Sequence, residues 1–220
     1  MQTRITIGVF IFILALSIVL ALYAYPLVPD RIATHWNAVG EVNGSLDKTW
    51  GLALMPIIIF IAGIGFILIP RIDPLRQNIA IFRNRYNALA CIILLSILYL
   101  EALMVAWNLG HMFNVSRFIA PAIAVLFIFL GFIMRKIKRN YFIGIRTPWT
   151  LASDRVWEKT HYRGAYVFTL VGLIALLGAF FPAPIWYIFL LAIFVGCAWL
   201  VLFSYLEFRR ETSGASRSGK

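Results

Sequence analysis

The sequence has few charged residues and very few cysteines. Charged residues make up 13% of the 220 residues and hydrophobic ones 62%, whereas soluble domains have about 25% and about 45–50%. The two cysteines, Cys91 and Cys197, both fall inside long apolar runs. A disulfide framework or a cysteine metal site is therefore not expected. The composition is typical of a protein embedded in a membrane.

Sequence signatures of membrane enzymes are also missing. The chain contains no H-E-x-x-H metalloprotease motif, no G-x-S-x-G nucleophile motif and no glycine-rich phosphate loop. All the aspartates lie outside the apolar runs, so paired intramembrane aspartates are absent too. His35 lies near Asp30, Glu41 and Asp47, but their spacing matches no metal-ligand pattern. We predict that the protein is not an enzyme and needs no metal or other cofactor.

Six apolar runs are each long enough to cross a bilayer, which requires about 20 residues. The runs cover residues 5–25, 51–70, 87–109, 118–134, 165–182 and 185–206. Alternating strands of about 10 residues, which a membrane β-barrel needs, are absent. The sequence therefore predicts an all-α integral membrane protein, a bundle of six transmembrane helices. Since the first run exceeds a signal-peptide core of about 7–15 residues, we interpret it as a retained helix.

Lys and Arg residues are distributed unevenly between the two sides of the predicted bundle. Of the 20, 17 lie at the two termini or in the second and fourth connections. Arg31, Lys48 and Arg117 lie on the other side. The positive-inside rule then places both termini in the cytoplasm of a plasma-membrane protein. Topology and anionic headgroups explain the net charge of +11, so the bilayer is the expected partner and direct nucleic-acid binding is not predicted.

The predicted organisation has three parts. They are residues 1–70, with two helices and an external loop at 26–50; residues 71–210, with four helices and a basic cytoplasmic loop at 135–164; and a tail at 211–220. The tail is small and polar, and we predict it to be disordered.

Local signals add detail to the two long loops. In the external loop, Gly40 and the adjacent Asn43 and Gly44 are turn signals. In the cytoplasmic loop, Ser153 is a candidate N-cap for a helix that begins near Asp154. We expect this helix to run directly into the fifth span.

Glu101 is the only acidic residue well inside a predicted span. Burying a carboxylate in hydrocarbon is costly, so such a residue is a candidate functional site. One interpretation is a hydrogen-bonded carboxyl group that joins two helices. The other is ligand or proton handling, as in a small proton-coupled transporter or permease. Asn108 lies on roughly the same face of the predicted helix.

The segment 140–161 is a polar, basic and tryptophan-containing connection between two apolar runs. Its composition indicates a segment that packs against the bundle or docks a partner. It resembles the signature of the SdpI-like membrane proteins. The residues that carry the resemblance are Asn140, Gly144, Arg146, Thr147, Pro148, Trp149, Thr150, Trp157, Thr160 and His161.

The external loop is similar to a domain of unknown function, DUF1648, found at the N-terminus of that family. The matching residues are Pro29, Asp30, Arg31, Ile32, His35, Trp36, Asn37, Gly40, Asn43, Gly44 and Lys48. The two motifs occur in the expected order, and the resemblance extends from the first predicted helix to the sixth.

The resemblance implies an immunity protein that protects a cell from a secreted sporulation-delaying peptide toxin. It also implies signalling, by holding a transcriptional repressor at the membrane when toxin is present. On this basis the expected toxin-facing residues are Asp30, Arg31, His35, Trp36, Asn37 and Gly40. The expected cytoplasmic docking residues are Asn140, Gly144, Arg146, Pro148, Trp149, Trp157 and His161. Loop folding and anchoring at the interface are the alternative role for both sets.

Overall fold

The computed structural model describes residues 3–218. Its elements are, in chain order, α1 (Thr3–Ala24), β1 (Arg31–Trp36), β2 (Val42–Asp47), α2 (Lys48–Ile72), α3 (Arg76–Ile81), α4 (Arg83–Asn108), α5 (Val115–Met134), α6 (Pro148–Ala152), α7 (Asp154–Leu177) and α8 (Pro182–Ser218). The described residues contain six helices, all but α3 and α6, that are long and apolar enough to cross a membrane. Each predicted span overlaps one of these helices, although the fifth, predicted to reach residue 182, ends at Leu177.

Between α1 and α2 the chain forms a two-stranded antiparallel sheet, so the prediction of an all-α fold is wrong for residues 31–47. The turn contains Gly40, whose φ of 90° is the left-handed conformation that its turn signal predicts. Asn43 and Gly44 lie inside β2 instead of forming a turn. Gly44 lies opposite His35, and a Cβ on Gly44 would be 3.0 Å from His35 Cβ. This glycine therefore permits close approach of the strands.

The helix α7 begins where the sequence predicts it. Ser153 is its N-cap, and the Ser153 hydroxyl accepts a hydrogen bond from Val156 N at 3.3 Å. Asp154 lies in the first turn, where a carboxylate opposes the positive end of the helix dipole. The helix continues without a break into the fifth span, as expected.

The last helix, α8, is longer than its predicted span. It extends to Ser218 and so enters the segment 211–220, for which the composition predicts disorder. Residues 219 and 220 of that segment lie outside the described residues.

The long helices pack as two groups. The first consists of α1, α2 and α4, which all contact one another around a core of Phe10, Ile13, Ile59 and Leu94. The second consists of α5, α7 and α8, around a core of Ala124, Val171, Ala175 and Phe189. Contacts between α4 and α5 join the two groups.

Glycines allow α5 and α7 to approach each other closely. A Cβ on Gly131 would be 2.7 Å from Ala165 O, and one on Gly172 would be 2.8 Å from Ile128 N. Because lipid tails are as apolar as the helices, packing of this kind, and not a hydrophobic driving force, holds helices together in a bilayer.

Two further cores lie at the two ends of the bundle. At the hairpin end, which carries β1 and β2, the core consists of Ala24, Val28, Ile32, Leu52, Met104 and Val105. At the opposite end, called here the loop end, the connection 135–153 packs near a core of Ile79, Phe82, Tyr86, Leu89, Ile133, Ile137 and Trp157. The two sequence motifs therefore lie at opposite ends of the molecule.

Candidate functional site

The side chain of Asn108, at the end of α4, fixes the hairpin to the bundle. Its Oδ1 accepts a hydrogen bond from Ala33 N at 2.8 Å, and its Nδ2 donates to Ala33 O at 2.9 Å. Asn108 thus satisfies both backbone groups of one β1 residue, as a neighbouring strand would. Its Nδ2 also donates to Met104 O at 2.8 Å, which orients the amide on its own helix.

The start of α5 holds the turn of the hairpin. The Ser116 hydroxyl donates to Asn37 O and the Asn114 Nδ2 donates to Val39 O, both at 2.8 Å. Asn114 is also the N-cap of α5, accepting a hydrogen bond from Arg117 N at 3.2 Å. Through α4 and α5, the hairpin is therefore tied to both groups of helices.

Three of the six predicted toxin-facing residues have structural roles in the hairpin. Asn37 closes the turn, because its Oδ1 accepts a hydrogen bond from Glu41 N at 2.9 Å. Trp36 is half-buried, and its ring lies edge-on to Trp107 with 5.7 Å between centroids. Gly40 supplies the positive φ of the turn.

The other three, Asp30, Arg31 and His35, are exposed. Asp30 forms an ion pair with Lys48 at 2.9 Å, and the hydrogen bond from Lys48 lowers the pKa of the Asp30 carboxyl. Arg31 Nη2 donates to Ser45 Oγ across the hairpin at 3.2 Å. These three side chains are the members of the set that a partner at the surface can reach.

At the loop end, His161 joins α7 to the connection before it. Its Nδ1 donates to Trp157 O at 2.8 Å, and its Nε2 accepts a hydrogen bond from Ile145 N at 3.0 Å. This pair of contacts fits a neutral imidazole with its proton on Nδ1. The Trp157 ring stacks on the imidazole at 4.0 Å, and Trp157 Nε1 donates to Ile137 O at 2.8 Å. A Cβ on Gly144 would be 2.3 Å from His161 Nε2, so only glycine leaves room for this ring.

Asn140 is fully buried and organises the first part of the connection. Its Oδ1 accepts hydrogen bonds from Phe142 N at 2.9 Å and Ile143 N at 2.7 Å. Its Nδ2 donates to Lys138 O and Ile143 O, both at 3.0 Å. The amide therefore holds a tight turn in place.

The short helix α6 follows this turn. Thr147 and Thr150 form a capping box at its start, and Pro148 occupies the first turn, where its missing N–H costs nothing. The ring of Trp149 contacts Tyr205 of α8, with 5.1 Å between centroids. The helix therefore anchors the connection to the last span.

Of the seven predicted docking residues, Arg146 and Pro148 are exposed and Trp149 is half-buried. Arg146 Nη1 also donates to Tyr141 O at 2.6 Å. The remaining four residues, Asn140, Gly144, Trp157 and His161, fold the connection through the contacts given above.

Sequence reasoning missed Asp73, which links two connections at the loop end. The residue is 2% exposed. Its Oδ1 accepts a hydrogen bond from Leu75 N at 2.6 Å, and its Oδ2 accepts one from Tyr141 N at 2.9 Å. Nearby, Asn78 Nδ2 donates to Arg139 O at 2.8 Å. The contact with Tyr141 could not be found from sequence, since Tyr141 lies 68 residues further along the chain.

Glu101 is fully buried in α4. Its Oε2 accepts a hydrogen bond from the Ser17 hydroxyl of α1 at 2.5 Å. Its other oxygen, Oε1, has no hydrogen-bond partner among the described residues. The contact links α1 to α4, as the helix-joining interpretation predicts. The second oxygen is an acceptor that this interpretation does not use.

The Asn108 contacts predict that Asn108→Ala releases β1 from the bundle. Two hydrogen bonds to Ala33 are lost, each with a net value of about 1 kcal/mol. We expect the Ala33 amide to exchange with solvent deuterium about 30-fold faster, since about 1.4 kcal/mol corresponds to ten-fold. Ser96→Ala is the control, because the Ser96 hydroxyl donates only within α4, to Ile92 O. Equal exchange in both variants would contradict the proposed clamp.

The position of Gly144 predicts that Gly144→Ala disrupts the loop end. The alanine would have to adopt a φ of 110°, and its Cβ would clash with His161 Nε2. We expect the backbone strain alone to cost at least about 1–3 kcal/mol of stability. Gly110→Ala is a matched control, since Gly110 has a φ of 95° but no atom within 4 Å of the added Cβ. We expect limited proteolysis between residues 140 and 153 to accelerate only in Gly144→Ala. Similar acceleration in both variants would mean that the His161 contact is unimportant.

Comparison with known proteins agrees with the two motifs. Residues 136–205 match the SdpI/YfhL protein family, and residues 12–60 match a domain of unknown function, DUF1648. The chain is 27% identical over 183 residues to the immunity protein SdpI of Bacillus subtilis (strain 168), a match that covers 83% of this chain and 84% of that protein. No solved structure matches the chain significantly. With its six apolar helices and these similarities, the chain is a multi-pass membrane protein that resembles the SdpI-like family, with a region similar to DUF1648 at its N-terminal side.

Proposed function

We propose that this protein confers immunity to a secreted peptide toxin at the plasma membrane. The similarity to a protein named as an immunity protein supports the general role. The observation that carries the proposal is the hairpin, a small sheet fixed to the ends of α4 and α5 with Arg31 and His35 at its surface. A rigid surface element of this kind suits recognition of an arriving peptide.

In the proposed orientation the hairpin is outside and both termini are cytoplasmic. The main support is the distribution of Lys and Arg along the sequence, with 17 of 20 at the two termini or in the second and fourth connections. The loop end then faces the cytoplasm, where a repressor would be available.

Cysteine labelling tests this orientation. In a background with Cys91→Ser and Cys197→Ser, single cysteines replace exposed Ser45 in β2 and exposed Ala152 in α6. We expect a membrane-impermeant maleimide to label the cysteine at 45 in intact spheroplasts and the one at 152 only after permeabilisation. Labelling of both in denatured samples is the control for reactivity. The reverse pattern would refute the orientation.

We further propose that the toxin binds in an extended conformation along β2. The other outer edge of the two-stranded sheet, at β1, is occupied by the Asn108 amide. All residues of β2 except Gly44 are exposed. An exposed strand edge can accept a peptide through backbone hydrogen bonds, with side chains nearby supplying specificity. Val42 and Leu46 would provide apolar contacts, and His35 and Arg31 polar ones.

A protection assay tests the toxin-facing role. Cells expressing Arg31→Ala/His35→Ala are compared with cells expressing His111→Ala/Arg117→Ala, which removes the same residue types from exposed positions at the same end. Two polar contacts of about 1 kcal/mol each predict about 10- to 30-fold weaker toxin binding. We therefore expect reduced survival in sporulation-delaying toxin for the hairpin variant alone, at equal membrane levels. Failure of the wild type to protect would refute immunity to that toxin.

Glu101 supports a second candidate, a proton-coupled transporter or permease. The specific observation is its unpartnered Oε1, which leaves an acceptor inside the membrane. The same assay separates the candidates through Glu101→Gln, which keeps the shape and removes the ionisable group. Full protection by this variant is expected for immunity. Loss of protection in Glu101→Gln alone, at a normal membrane level, would favour the transporter.

We also propose that the protein signals by binding a transcriptional repressor at the loop end. A cytoplasmic repressor would bind the exposed part of the loop end, with Arg146 and Pro148 as contacts and Trp149 at the edge. The buried residues of the same motif would maintain the shape of that surface. Toxin and repressor would be coupled only if each prefers the same one of two arrangements of the helices.

A further inference from the structure

A groove of about 670 Å³ lies between α5 and α7 near the loop end. Its floor includes Gly131, Ala165 and Thr169, and its sides include Phe132 and Leu170. The small floor residues and the bulky exposed side chains next to them create the recess. Since Phe132 and Leu170 are 67% and 59% exposed, this face of the bundle is open to the lipid phase.

The mouth of the groove is basic. Arg85 from α4, and Arg135 and Lys136 from the end of α5, line it together with the apolar residues, and no acidic residue does. Among the described residues, the ion pairs involve other cations, and none is formed by these three. Their positive charge is therefore not neutralised by carboxylates of the protein.

Aromatic rings hold the Arg135 guanidinium in position. It lies over the rings of Tyr162 and Tyr166, at 4.9 and 4.7 Å from their centroids. The two tyrosine hydroxyl groups are 3.0 Å apart. Cation–π contacts of this kind orient a guanidinium without neutralising its charge. Because the N–H groups of a guanidinium point outward in its plane, contact of its face with the rings leaves Arg135 able to donate to a phosphate.

We propose that this groove binds one anionic phospholipid of the bilayer. The headgroup phosphate lies against Arg85, Arg135 and Lys136, and an acyl chain lies along Phe132 and Leu170. In the proposed orientation the site faces the cytoplasmic leaflet, where anionic lipids attract basic residues next to transmembrane helices. The bound lipid covers the junction of α5 and α7, the two helices joined by the basic connection. The site does not depend on toxin recognition.

Lipid titration of the purified full-length protein tests the proposal. In neutral detergent, phosphatidylglycerol is added and the bound fraction is measured by native mass spectrometry. Arg135→Gln/Lys136→Gln is compared with Arg76→Gln/Arg155→Gln, which removes the same charge from exposed positions at the same end. We expect about ten-fold weaker phosphatidylglycerol binding in the groove variant, and wild-type binding in the control. Equal weakening in both would show a general charge effect and overturn the site.

Two further ligands define what the groove recognises. Phosphatidylcholine tests the need for net negative charge, and glycerol 3-phosphate tests the need for the acyl chain. We expect neither to compete with phosphatidylglycerol at equal concentration. Competition by glycerol 3-phosphate would overturn the lipid assignment, and equal competition by phosphatidylcholine would overturn the role of the basic mouth. Both double variants replace exposed side chains, and a single symmetric peak in size-exclusion chromatography confirms that each is folded.

Discussion

The structure depends on satisfying backbone groups wherever the chain leaves a helix at the edge of a membrane. Near lipid, an unpaired N–H or carbonyl is costly, and helices satisfy theirs internally. The connections use side chains instead. Asn108 satisfies Ala33 in the hairpin, His161 accepts from Ile145 N, and Asp73 accepts from Tyr141 N. Asn108 lies at the end of α4, His161 lies in α7 and Asp73 caps α2. Each therefore fixes a connection to one of the long helices.

This constraint explains why a motif rich in rare residue types can be mainly structural. In the segment 140–161, Asn140, Trp157 and His161 are buried and each bonds to backbone atoms. A side chain that must match a fixed backbone geometry is as restricted in type as one that contacts a ligand. The residues left at the surface, Arg146 and Pro148, are the better candidates for partner contacts. In the hairpin, Trp36 and Asn37 likewise support the surface on which His35 lies.

Local and compositional signals made part of this structure predictable. The spans are predicted by the apolar runs, and the start of α7 is predicted by the N-cap Ser153 and the acidic Asp154 that follows it. The hairpin was missed because two short strands inside a turn-rich loop give weak alternation, and because Asn43 and Gly44 imitate a turn. The links of Asp73 to Tyr141 and of Ser17 to Glu101 span 68 and 84 residues. Such pairs depend on how the helices pack against one another, and residues that are neighbours in sequence carry no signal of that packing.

The two ends of the molecule share one architectural property. At the hairpin end, Asn108 of α4 and Ser116 of α5 hold the same β-hairpin, although α4 and α5 belong to different helix groups. At the loop end, Asp73 and Asn78 lie between α2 and α4 of the first group, and their bonds reach the connection that follows α5. A shift of one group against the other would therefore strain contacts at both ends at once. Because glycines let α5 and α7 pack closely, we expect the two helices to move together in such a shift. If a peptide binds the hairpin as proposed, the α4–α5 junction is the element that would transmit the effect to the basic connection.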